Sequence, residues 1–196
     1  MRIDKLLLVL LLVCMFAQSA SAQSGQPGEF GVFADPTGTQ LTLDVIPFAP
    51  MLIYVVAFEP PEGIAQYRFA LDSLLATGAS ILGVELPEGA VNAETDPGHF
   101  DVTVEPCVDD EIIVLARLNV IFLSAPPNDT AIYAVGLSDE AGPESIDCGG
   151  NAAELVPVPL CTERYPDGAL ILNATHWVCP VGNGTFGSLK AAYEID

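Results

Sequence analysis

Positive charge is nearly missing from this chain. Its 196 residues hold six Lys or Arg against 26 Asp or Glu, a formal net charge of −20, with only two histidines and one tryptophan. Nucleic acid and anionic lipid surfaces both need Lys or Arg to displace counterions, so neither is expected as a partner. Two histidines leave little material for general-base catalysis, and no serine lies in a G-x-S-x-G turn. His99 falls in the turn Asp96-Pro97-Gly98-His99 and His176 stands beside Trp177, where solvent or packing is the simpler reading of each. No C-x-x-C spacing and no D-x-[DN]-x-[DN]-G loop occurs, which removes the usual zinc and EF-hand patterns.

Long apolar runs are also absent, apart from one near the start. Arg2 and Lys5 precede an apolar run over residues 6–17, and Ala20-Ser21-Ala22 then supplies small residues. This is the grammar of a secretory signal peptide over residues 1–22, cut after Ala22. Twelve apolar residues fall well short of the roughly 20 that span a bilayer, so no transmembrane anchor is expected after cleavage. Val13 before Cys14 does not suit lipid attachment. The expectation is a Sec-type export to the periplasm, cell surface or medium. Cleavage removes Arg2, Lys5 and Asp4, leaving Arg68, Arg117, Arg164 and Lys190 against 25 acids (26 less Asp4), a formal charge of −21. Spread along a chain rich in Val, Ile, Leu and Ala, that acidity reads as a solubilising surface; a salt-rich habitat or a calcium-attracting surface is the alternative.

Export also gives the cysteines their meaning. Cys14 leaves with the leader, and Cys107, Cys148, Cys161 and Cys179 remain, an even number that reads as two disulfides. Three pairings exist. Cys107–Cys148 with Cys161–Cys179 is preferred, the second bridge closing a hairpin around Tyr165-Pro166-Asp167-Gly168.

Proline and glycine recur every eight to twelve residues, the punctuation of many short strands. Residues 23–29 read as a flexible lead-in and 30–196 as a single domain. Strands are expected over 30–33, 40–45, 51–58, 64–71, 81–86, 100–104, 111–123 and 130–137. The run Met51-Leu52-Ile53-Tyr54-Val55-Val56-Ala57-Phe58 has no polar alternation and predicts a strand buried on both faces. Residues 64–75 fit both a strand and a helical stripe, and the β-rich surroundings favour strand through Leu71. Residues 138–151 read as a polar, Gly-rich loop tied down by Cys148. Two hairpin strands are expected near 169–172 and 176–178.

This order of segments, with Leu52 to Phe58, then Ile64-Ala65-Gln66-Tyr67-Arg68-Phe69-Ala70-Leu71, then Ile113-Val114-Leu115-Ala116-Arg117-Leu118, resembles the cohesin-like β-sandwich of cellulosomal cohesins and related secreted modules. The closing stretch Thr185-Phe186-Gly187-Ser188-Leu189-Lys190-Ala191-Ala192-Tyr193 is similar to that of uncharacterised secreted bacterial proteins carrying such a sandwich. The resemblance implies an all-β, cohesin-like or immunoglobulin-like antiparallel β-sandwich, here with a disulfide-stapled C-terminal hairpin region. It implies a module that binds a protein, as cohesins bind dockerins, while the cysteine pairs depart from an ordinary cohesin.

Three chemistries remain to be placed. Asp109, Asp110 and Glu111 beside Cys107, with Asp139 and Glu140 near Cys148, are hard oxygen ligands of the type calcium takes, and calcium is the one cofactor considered. Trp177 and Tyr165 are the candidate stacking platform for a surface glycan. Twenty-five acids allow many carboxylate pairs, so none is singled out for glycoside hydrolysis. The sequons at Asn128, Asn173 and Asn183 read as turns. The expected function is a non-catalytic binding or structural module engaging another protein, with a carboxylate hydrolase or a carbohydrate-binding module as alternatives.

Overall fold

The computed structural model describes residues 25–137, 142–176 and 178. One sheet has the order β12 (Val156–Pro157), β1 (Glu29–Phe33), β3 (Pro50–Phe58), β8 (Ile112–Phe122) and β5 (Ala79–Glu85). A second runs β11 (Ala152–Glu154), β10 (Glu144–Ile146), β4 (Ile64–Ala70), β7 (His99–Val108) and β6 (Ala90–Asn92). A small third sheet joins β2 (Thr42–Leu43), β13 (Leu170–Leu172) and β9 (Thr130–Ile132). Pairing is antiparallel except for β1 with β12 and β2 with β13. The architecture is an antiparallel β-sandwich.

Its main core lies between the two large sheets. Ile53, Val55 and Ala57 of β3 meet Tyr67 and Phe69 of β4 and Phe100, Val102 and Val104 of β7. The alternate residues Tyr54, Val56 and Phe58 enter a second core with Phe33, Val158, Leu160, Tyr165 and Ile171. Strand side chains alternate between faces, so a strand apolar at every position needs cover on both sides. The C-terminal segment supplies the second cover. The outer face of the second sheet is polar, with Arg68, Gln66 and Asp101 joined by side-chain bonds of 2.7 and 3.0 Å.

Between Val55 and Val56 the β3–β8 register shifts, so Leu115 has no opposite residue. The buried Tyr67 hydroxyl donates to the Leu115 carbonyl across the core, giving the irregular backbone a partner. Burial pushes the Tyr67 phenol pKa well above its ordinary value.

The ambiguous stretch after Ile64 contains both elements. β4 ends at Ala70, and α1 (Asp72–Ala76) follows at once, stopping before Gly78 at φ +77. The strand expected over 130–137 shortens to β9 plus a single bridge at Val135. The segment expected to be only a loop contains β10, which pairs with β4 and then turns into β11. β13 finds its ladder partners in β2 and β9, in place of a hairpin neighbour, and His176 lies in a bend. Cys107 at the end of β7 and Cys148 in the β10–β11 turn form a disulfide. Cys161 is also disulfide-bonded, and Cys179 lies outside the described residues.

Candidate functional site

The two large sheets do not close equally at their sides. On one side the short strands β11 and β12 follow each other directly. On the other, residues 86–89 cross from β5 to β6 before either neighbouring strand has ended. The last β5 pair is Glu85 with Arg117, yet β8 extends back to Ile112 paired only with β3. Likewise β6 begins opposite Val104, while β7 runs on to Val108. The crossover can turn this tightly because Gly89 adopts φ +75, and a Cβ there would lie 2.0 Å from the Glu105 carbonyl oxygen.

Below the crossover lies a groove of about 760 Å³. Ile112, Ile113 and Val114 form one wall, and Pro106, Cys107 and Val108 line the other. Four carboxylates line it as well: Glu88 from the crossover, Glu105 from β7, and Asp109 and Asp110 from the β7–β8 turn. The lining contains no Lys, Arg or His. Along the same side Leu82 (54% exposed) and Val84 on β5, and Val91 (69%) on β6, hold apolar side chains in solvent. Edge strands with exposed apolar residues invite pairing, and soluble proteins usually blunt them with charge or cover. A second apolar patch, Ile46, Phe48 and Leu123, lies at the far end of β8, where the Phe48 N–H donates to the Phe122 carbonyl at 2.9 Å.

The residues singled out in the sequence disperse over the molecule. Asp109 and Asp110 line the groove, and the Glu111 carbonyl accepts from the Glu59 N–H at 2.7 Å. Asp139 and Glu140 lie outside the described residues. Among the described residues no group of three or more His, Cys, Asp or Glu converges as a metal set. Tyr165 is 6% exposed, its ring in the second core and its hydroxyl bonded to Asp129 at 2.8 Å. The expected platform role of Tyr165 thus falls on a side chain packed into the second core. Trp177, its expected companion, lies outside the described residues.

Sequence reasoning missed the cluster around Asp129. Its carboxylate also accepts from the Thr175 N–H at 2.8 Å and Thr175 Oγ1 at 2.5 Å, with His176 Nδ1 at 3.3 Å and Arg164 at 3.4 Å. Arg164 Nη1 lies 3.2 Å from His176 Nε2. A guanidinium only donates, so Nε2 accepts and Nδ1–H points toward Asp129 and Thr175. This aspartate–histidine pair has its outer nitrogen taken by Arg164 in place of a nucleophile. His99 pairs through Nε2 with Asp72 at 3.0 Å, and the neighbouring Ser73 hydroxyl is bound to the Tyr133 backbone.

No family model matches the chain, and no curated protein matches it. Among solved structures it is similar to a cohesin module from a Clostridium perfringens family 33 glycoside hydrolase, at 8% identity over 74% of this chain and 98% of that one, TM-score 0.42. It is also similar to a non-cellulosomal cohesin from the hyperthermophilic archaeon Archaeoglobus fulgidus, at 9% identity over 85% of this chain and 99% of that one, TM-score 0.45. At these TM-scores neither likeness bears on the site, which this chain's own residues define.

Proposed function

We propose that this protein is an exported, non-catalytic binding module that docks another protein on its β5–β6 side. The observation that carries the reading is the coincidence there of unpaired strand edges, exposed Leu82, Val84 and Val91, and a groove with four carboxylates in its lining. Edges and apolar residues supply affinity, and the charge selects the partner. Export is supported by the leader grammar of residues 1–22 and by the disulfide-bonded Cys107, Cys148 and Cys161. The Asp129–His176 pair lends no support to a serine-type hydrolase, because its second nitrogen meets a guanidinium.

The double variant Leu82→Asp, Val91→Asp tests this directly. Both side chains are solvent-facing, so its thermal midpoint and circular dichroism should match the parent. It should lose retention of the host's exported partner, whereas Val156→Asp on the opposite edge should keep it. Equal retention by all three proteins would refute docking on this side.

A further inference from the structure

The groove lies beside the start of β8, which has a partner strand on one side only. We propose that it receives an extended, Lys- or Arg-bearing segment of another protein, which adds to β8 as a strand in line with β5. The inference rests on the docking reading above and specifies the partner's form.

β8 is paired with β3 along its whole length but with β5 only as far as Arg117. Among the described residues no strand pairs with residues 112–116 on the β5 side. Leu115 and Ala116 are fully buried, and the Leu115 carbonyl accepts from Tyr67, so the stretch open to an entering chain is the part that lines the groove, Ile112 to Val114. Three residues at about 3.3 Å each leave a gap of roughly 10 Å, a short strand. Its floor is already a β edge, so an entering chain gains main-chain hydrogen bonds without ordering a new template.

Side-chain chemistry then sets the sequence of the occupant. One face of an added strand would turn toward Pro106 and Val108 on the facing sheet, which favours an apolar residue at every second position. Glu88 and Glu105 lie at the crossover end, and Asp109 and Asp110 at the β7–β8 turn. Carboxylates at both ends of the gap match cations at both ends of the strand.

Charge also rules on two other occupants. A second copy brings a formal −20, and the only two cations of this chain within five residues of each other are Arg2 and Lys5, in the leader. The chain's own last residues hold Lys190 with Glu194 and Asp196, a net negative segment. The complementary partner is a different, cationic protein.

A synthetic peptide, acetyl-Lys-Val-Thr-Val-Thr-Val-Lys-amide, tests the proposal on the intact protein by backbone-amide NMR. Binding should saturate, slow exchange at amides within residues 112–114, and weaken as salt rises. Replacing both lysines by glutamate should weaken it roughly tenfold or more. Two further peptides carry N-methyl groups on alternate residues, one set for each strand edge. Strand addition requires that one set binds roughly tenfold or more weakly while the other retains affinity. If both N-methylated peptides bind in the groove like the parent, strand addition is wrong and the docking reading stands. If the lysine peptide does not bind, or perturbs amides elsewhere, the proposal is overturned. The Leu82→Asp, Val91→Asp comparison then decides the docking reading separately.

Discussion

Asp129 holds a left-handed backbone at φ 61 and ties the loop before β9 to the C-terminal segment. Hydrogen bonds from Thr175, through its hydroxyl and its backbone N–H, hold the carboxyl far below its usual pKa, with Tyr165 and His176 adding to the effect. A carboxyl with a depressed folded-state pKa contributes stability that is fully present above its unfolded value of 3.8 and is lost as pH falls below it. Asp129→Asn should therefore lower the thermal midpoint at pH 7 and reduce its decline between pH 5 and 2, which melting curves across that range would measure. An unchanged acid limb would remove Asp129 from the account of stability. None of this was legible beforehand. Asp129 sits in a turn-like Asn-Asp-Thr triplet, and its partners are 35 to 47 residues away. Only the fold brings them together.

Among the elements, β3 was the most readable, because nine residues with hardly a polar atom cannot rest on a sheet with one wet face. The identity of its second cover was not readable, since the segment around Val158 and Tyr165 has no strand-like periodicity. Two separate cores should behave independently. Ile53→Val in the first and Ile171→Val in the second should each cost about 1 kcal/mol. Their double variant should be additive within about 0.5 kcal/mol in urea unfolding. A larger coupling would mean that the cores relax as one body. The short strands β6, β10 and β11 escaped notice for a common reason. Glu144-Ser145-Ile146 is a strand because β4 offers an edge, and Ala152-Ala153-Glu154 because β10 then offers the next; no pattern of their own demands it. Asp109 and Asp110 were visible as an acidic run, but Glu88 and Glu105 join them only through the crossover at Gly89.

At the scale of the whole molecule, a sandwich with two stacked cores still leaves one side open, and the disulfide fastens a wall of that opening. Cys107 and Cys148 close a loop across 41 residues. On chain-entropy grounds such a link is worth roughly 4 kcal/mol. The Cys107→Ser, Cys148→Ser variant should lose about that much in equilibrium unfolding, and a loss under about 1 kcal/mol would mean that the ladder alone holds β10 against β4. A formal charge of −20 accords with the proposal of a cationic partner. The most direct measurement is photo-crosslinking in the producing cell, with a benzophenone amino acid placed in turn at Val91, Ile112 and Val156. Docking on the open side predicts one discrete protein adduct from Val91 and Ile112 and none from Val156 on the opposite edge. Adducts confined to Val156 would contradict it.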